Sequence, residues 1–327
     1  MGQYKGIAGG VESMMANRFT PWHYSYNEDR VALVDLEIET GHQALVLAKC
    51  DWGVNLVGLG EFMPEHEGAD DFYLAMRSDE QAVLGVHKER YTVIPNSAVA
   101  DMADAVMLAA PGSNIESAGS LYAPGKVVWM LVRLPDTGAT FGGREHHERY
   151  ILVTTSHDAS MAFSVRGTDV RVECMNTMSM AYNGSRADYV IRHTTNAMDY
   201  VAEARNSIAV VTANWQAMDA QIARLMDVEL DRSDFASEII PEVIGEAPET
   251  EGRAKTMWDN RFDAIVEMYD APHNEAIVDT AWGAVNAVNE YEEWGIKPRG
   301  QEVHEAQFKR LLTGSYDLTR KALALVN

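Results

Sequence analysis

Apolar and polar positions recur with two different periods along this chain, and the period changes in blocks. The stretch 30–60 reads as strands. Val31-Ala32-Leu33-Val34-Asp35-Leu36-Glu37-Ile38-Glu39 ends in alternating apolar and acidic positions, the signature of a half-buried strand. Gly41-His42 gives a turn signal and Ala44-Leu45-Val46-Leu47-Ala48 a returning strand, so a hairpin is expected. Glu61 to Asp71 is acidic and loop-like. From Asn96, a candidate N-cap, Val99, Met102, Ala103, Val106 and Met107 fall on a 3.6-residue stripe that predicts a helix, stopped by Pro111-Gly112.

Strands follow. Ser120-Leu121-Tyr122 and Lys126 to Leu134 flank Ala123-Pro124-Gly125, which predicts a hairpin turn. Tyr150 to Thr155, Ala162 to Val165 and Val170 to Cys174 complete the set, and a helix is expected from Met175 or Asn176, carrying Met178 and Met180. Beyond residue 200 the pattern turns helical. Val201, Ala204, Ile208, Val211, Trp215, Met218, Ile222 and Leu225 are spaced alternately three and four apart, a heptad seam. A helix of roughly 30 residues would span about 45 Å, and its seam would face either the chain's own core or a second subunit. Pro241 to Glu251 reads as an acidic loop, with helices over Ala254–Tyr269 and Glu275–Trp294 and a break at Pro272. The pattern predicts an α+β protein: a central antiparallel sheet with flanking helices (a β-β-β-α-like core) and a mostly helical C-terminal region. Three parts are expected: a β-rich segment 1–83, an α+β core 84–195 and a helical region 196–327.

The 327 residues are 46% hydrophobic and 23% charged, enough apolar material for a real core, which excludes a disordered tail protein. The two cysteines, Cys50 and Cys174, are too few for a disulfide framework and cannot complete a zinc site. Both are expected to be reduced, buried thiols. The first residues lack the apolar core of a signal peptide, and no apolar run approaches the ~20 residues of a membrane span. A soluble protein of the cytoplasm is therefore expected.

Charge changes the picture most. The net charge is −22, unevenly placed: 1–83 carries −9, 84–200 only −2 and 201–327 −11. The near-neutral middle is rich in arginine, whose planar fork suits phosphate. If a polyanion binds anywhere, it binds there. The candidate contacts are Lys126, Arg133, Arg149, Arg166, Arg171 and Arg192, with Tyr122, Trp129 and Tyr150 as stacking partners for bases. Trp22, Tyr24, Tyr26, Tyr182 and Tyr189 are further aromatics of the same type.

Catalytic signatures are weak. Gly119 to Lys126 is not a phosphate loop: five residues separate its glycines where four are needed, and Val127 stands where magnesium needs a hydroxyl. No dinucleotide fingerprint follows a strand, so no cofactor is expected. His146-His147 would point to opposite faces of an extended chain, and a solvated loop accounts for them better than a metal. Ser156-His157-Asp158 are neighbours in sequence and cannot form a triad; a turn capped by Asp158 and Ser160 is expected.

Several segments resemble the phage/plasmid-like proteins grouped as domain of unknown function 932. They are Thr20-Pro21-Trp22-His23, Leu84-Gly85-Val86 with Arg90 to Asn96, and Ala118 to Leu121 with Val128-Trp129 and Arg133-Leu134-Pro135. Tyr150 to Asp158, Val170 to Thr177, Arg192-His193-Thr194 and Trp282 to Tyr291 follow in the same order. The resemblance implies a phage or mobile-element protein working in a bacterial cytoplasm, and brings no catalytic residue. The order of helix, hairpin, strands and helix is also similar to the core of single-strand annealing proteins of the Redβ, Erf and eukaryotic recombination-mediator type, a fold-level analogy. The leading expectation is a homo-oligomeric protein that binds and anneals single-stranded DNA without ATP. The alternative is an acidic structural or interaction protein, assembling through its helices or mimicking DNA, with no nucleic-acid role. A hydrolase built on Cys174 or a histidine is a third reading.

Overall fold

The computed structural model describes residues 38–122, 124–135, 139–143, 145–171, 177–179, 189–205, 209–296, 310 and 315–327. The strand expected over 31–37 lies outside them, as do Trp22, Tyr24, Tyr26, Cys174, Met180, Tyr182 and Ile208. The first element is helix α1 (Gly41–Leu47), not the returning strand of a hairpin. The Thr40 hydroxyl accepts from Gln43 N at 3.2 Å, so what read as a turn is a capped helix start. Gly41, Ala44 and Leu45 form its buried face. A Cβ at position 41 would stand 2.5 Å from the Ala100 carbonyl, so only glycine lets α1 approach the next helix this closely.

Strands β1 (Val54–Gly58), β2 (Phe72–Arg77) and β3 (Val83–Lys88) form a three-stranded antiparallel sheet. Helix α2 (Asn96–Ala109) follows, capped by Pro95 rather than by Asn96, which is its first helical residue. Its predicted stripe is right: Val99, Met102, Ala103 and Val106 are buried.

The chain then builds a seven-stranded antiparallel sheet from β4 (Asn114–Leu121), β5 (Val127–Arg133), β6 (Ala139–Phe141), β7 (Glu145–Ser156), β8 (Phe163–Arg171), β9 (Thr177–Ser179) and β10 (Tyr189–Ile191). The order is β10-β8-β7-β5-β4, with β6 beside β7 and β9 beside β8. The fold is α+β, as the pattern implied. Two readings change here. Phe163 to Val165 and Val170-Arg171 belong to one strand, β8, the rest of the expected 170–174 strand lying outside the described residues, and Met178 lies not in a helix but in β9, opposite Asp169. One face of the sheet, with Val128, Met130, Val132, Ile151 and Val153, joins the core of α2. Trp129, Leu131 and Leu152, of opposite parity, are buried as well, so this sheet is covered on both sides and its strands read as unbroken apolar runs.

Helices α3 (Ala197–Arg205) and α4 (Ala209–Asp227) carry the heptad seam. Its residues Val201, Ala204, Met218, Ile222 and Leu225 all join the chain's own core. The side chains of Val211 and Trp215 lie outside the described part. Short helices α5 (Arg232–Asp234) and α6 (Ile240–Ile244) sandwich a π turn, Phe235–Ile239. Pro241 thus sits in the first turn of a helix, where its missing N–H costs nothing, and the acidic loop begins only at Gly245. Helix α7 (Arg253–Tyr269) matches expectation, whereas α8 (Ala281–Glu290) starts later than Glu275 because the Thr280 hydroxyl caps it by accepting from Gly283 N at 3.0 Å. Every residue of α8 is buried.

A second π turn, Tyr291–Gly295, delivers Glu292 to helix α9 (Asp317–Val326). The carboxylate accepts from Leu318 N at 3.2 Å, Thr319 N at 3.0 Å and the Thr319 hydroxyl at 2.8 Å. Glu292→Ala would strip buried donors of their charged acceptor, and it is expected to lower stability by about 2–3 kcal/mol, read as a shifted urea midpoint. No described helix is long and apolar enough to cross a membrane.

Candidate functional site

Strand register decides where the expected DNA contacts point. Trp129 lies opposite Thr154, and Arg133 opposite Tyr150. Tyr150 in turn faces Thr168, and Leu152 faces Arg166. Side chains alternate along a strand, so Trp129, Arg133, Tyr150 and Arg166 share one face. Arg149, opposite Asp169, has the other parity, and position 171, opposite His147, shares it. The side chain of Arg171 itself is outside the described part. The strand arginines are therefore divided between the two faces instead of gathered on one.

Several are also engaged. Arg133 forms an ion pair with Glu148, which also accepts from the Tyr150 hydroxyl at 2.6 Å. Burial pulls the Arg133 pKa down, but Glu148, Tyr150 and Glu116 outweigh it and the guanidinium stays charged. Arg149, only 9% exposed, pairs with Asp219 of α4 and ties that helix to the sheet. Trp129 and Tyr150 are 0% exposed and cannot offer a ring to a base, which corrects the stacking expectation for both. Burial, helped by Glu116 and Glu148, raises the Tyr150 pKa well above its usual range. Arg166 and Lys126 are half-buried and Arg192 is exposed after β10. Tyr122 sits in the β4–β5 turn at φ +59°, where its carbonyl accepts from Gly125 N and Lys126 N, confirming a hairpin in place of a phosphate loop.

His146 and His147 are not in a loop. Both lie on β7, and His147 is buried, its ring 5.2 Å from that of Phe141 and 5.8 Å from that of Trp282. Cys50 is fully buried, and burial pushes its thiol up to about 12, so it is inert as a nucleophile. Among the described residues no group of three or more His, Cys, Asp or Glu is placed to hold a metal ion.

The most concentrated chemistry is one that residue spacing did not reveal. His87 from β3, Tyr91 from the approach to α2, Asn96 from its first turn, His157 after β7 and His193 after β10 meet where the small sheet rests on the large one. The rings of His87 and Tyr91 stack at 3.6 Å and those of Tyr91 and His193 at 5.1 Å. His87 Nε2 lies 2.8 Å from the His157 carbonyl, and the Tyr91 hydroxyl donates to Ser156 O at 3.3 Å. A Cβ on Gly85 would stand 2.6 Å from His157 O, so the glycine permits the approach. Asn96 Nδ2 donates to the carbonyls of Cys50 and Trp52 at 2.9 and 3.1 Å.

That last contact fixes a tautomer. With the Asn96 amide nitrogen committed to two carbonyls, its Oδ1 is an acceptor, and His157 Nε2 at 2.7 Å must carry the hydrogen. His157 Nδ1 is left as a bare lone pair, buried and without a partner. His193 Nδ1 faces the Thr92 carbonyl at 3.1 Å and must donate, which leaves its Nε2 bare and buried too. Burial, reinforced by His193 and His87, lowers the His157 pKa to about 3; burial also lowers that of His193. Both rings are neutral at pH 7. Asp158 caps the turn as expected, accepting from Ser160 N at 2.9 Å, but the second side-chain contact comes from Ser156 in place of Ser160: its hydroxyl donates to Met161 O. The sequence hint of the node was that Tyr91, Asn96, His157 and His193 sit in separate family-like segments, with His87 beside one of them; what joined them was folding.

No curated protein and no solved structure matches the chain. A family model, described as a domain of unknown function (DUF932), matches residues 83–312, which include Gly85, His87, Tyr91, Asn96, His157 and His193. That match covers well over half of the sequence, and this protein belongs to the DUF932 family.

Proposed function

We propose that this protein acts by association rather than catalysis, as an acidic interaction protein of a phage or mobile element in a bacterial cytoplasm. Its partner is a protein with a basic surface of the kind that otherwise meets DNA. The observation that carries this reading is a contrast in how charges are used. Arg133 and Arg149 are paired with Glu148 and Asp219 of the same chain. By contrast Glu238, Glu242, Glu246, Glu249, Asp263 and Glu267 stand exposed along α5 to α7. Such a surface attracts cationic partners and repels nucleic acid. Assembly into a homo-oligomer belongs to the same proposal, and it would use surfaces other than the seam, whose described side chains lie in the core.

The second reading, single-strand binding and annealing without ATP, has one specific support. Arg133 and Arg166 share a face of an antiparallel meander that follows a helix, with Lys126 and Arg192 outside the strands. One pair of titrations separates the two. A labelled single-stranded oligonucleotide and a fluorescent oligoarginine peptide are each titrated with protein at 50 and 200 mM salt. The interaction reading expects no DNA shift at micromolar protein. It also expects peptide binding that Asp263→Asn with Glu267→Gln weakens far more than Glu65→Gln with Glu67→Gln. A DNA shift at 50 mM that collapses at 200 mM, because releasing the DNA's counterions gains less in higher salt, would establish the second reading and remove the first.

A further inference from the structure

We propose that the histidine node is an acid-operated latch: proton uptake by His157 and His193 undocks the three-stranded sheet β1–β3 from the seven-stranded sheet. The argument starts from the two bare nitrogens. His157 Nδ1 and His193 Nε2 are buried, and the opposite nitrogen of each ring is held by a fixed acceptor. A proton added to either ring creates a buried N–H carrying positive charge with no acceptor to receive it.

The surroundings offer no relief. From the loop before β1, the Trp52 ring stands 5.6 Å from His157 edge-on, and the Arg77 guanidinium of β2 lies 4.4 Å over that same indole. From β3 comes His87, which repels a charge on His157 or His193. Tyr91 is neutral: burial, then Asp158, push its hydroxyl above its usual value. Asp158, the carboxylate next to His157 in the chain, is turned to the backbone of Ser160.

The same backbone that carries His157 receives the small sheet. The His87 and Tyr91 bonds to residues 157 and 156 and the close approach of Gly85 are all made there. Thr92 N also donates to His193 O at 3.2 Å. Moving either ring toward water therefore breaks these docking contacts, while Arg77 Nη1 still donates to Pro124 O at 2.6 Å, Asn96 Nδ2 still reaches the carbonyls before β1, and Ala75 and Leu84 remain the apolar ties that opening must also release.

The sign follows from linkage. Burial holds the docked His157 at about 3 and undocking returns it to about 6.5, so as the pH falls through 6.5 the open form binds more protons and opening becomes easier. Between pH 7.5 and 5.0 this group alone multiplies the opening constant about 30-fold. The test is hydrogen exchange of the full chain at both pH values, corrected for the intrinsic rate. The expected result is a gain of about 30-fold or more in opening for the amides of β1–β3, reversible on neutralisation, with those of β5 and β7 unchanged. The double variant His157→Gln, His193→Asn keeps the donors to Asn96 and Thr92 but cannot take up the protons, and its β1–β3 response is expected to fall below about 3-fold. Loss of protection in β5 and β7 in step with β1–β3, or an unchanged response in a folded double variant, overturns the latch. If the double variant does not fold, the comparison of the two sheets in the unaltered protein decides.

Discussion

Trp129→Ala is expected to lower the stability of the protein by about 3–5 kcal/mol, the largest effect of any single substitution discussed for the large sheet. The indole is 0% exposed, in a strand whose neighbours Val128 and Met130 are also fully buried. Removing it leaves a cavity that the hydrogen-bonded strands β4 and β7 on either side cannot close. The measurement is a urea midpoint by circular dichroism. The result discriminates between roles as well as sizing the core. A base-stacking tryptophan would lose binding worth ~1–3 kcal/mol per base and leave the midpoint in place. A core tryptophan moves the midpoint. Its burial commits this residue to the second outcome.

Gly283→Ala is the second large effect, and its sign is decided by tertiary contact against local propensity. Within a helix, alanine is favoured over glycine by about 1 kcal/mol, so propensity alone predicts stabilisation. At position 283 a Cβ would stand 2.2 Å from the Ile277 carbonyl oxygen and 3.0 Å from its carbon. That carbonyl cannot swing away, because it accepts from the Thr280 hydroxyl at 2.7 Å, and the same hydroxyl caps α8. The clash is therefore with backbone, and net destabilisation of about 3 kcal/mol is expected. Gly58→Ala makes the control. Its φ is −61° and the nearest atom to a Cβ is the end of the Glu61 side chain at 3.8 Å, so the same change is expected to be neutral or to stabilise by up to about 1 kcal/mol. A thermal melt of both variants reads the difference in sign directly.

The strands of the large sheet were legible because Val127 to Val132 and Ile151 to Thr155 are dense in β-branched and apolar residues, a preference that burial on two faces reinforces. Helix α2 was legible because one face of it is buried and the stripe shows it. The errors have a common cause. Seven residues over 41–47 carry too few periods to separate a helix from a strand, and it was the Thr40 cap and the close approach to Ala100 that chose the helix. Thr177 to Ser179 became a strand because an edge of β8 was there to pair with.

The candidate site shows the same limit more sharply. Residue type singled out Arg133, Arg149 and Arg166 among the cations of the middle segment, but their sides of the sheet depend on parity, and parity depends on register. The histidine node was invisible for a related reason: His87, His157 and His193 are separated by 70 and 36 positions, and no local period links them.

Composition and periodicity were sufficient by themselves for the α+β class, the acidic ends with their near-neutral middle, and the helical character of the C-terminal region, because each is a sum over many residues or a repeat within one element. Pairing was settled elsewhere. Which arginine meets which carboxylate, which imidazole nitrogen keeps its hydrogen and which glycine must stay bare are matters of ångströms between distant segments, and only the packed chain brings those atoms close enough for the differences to count.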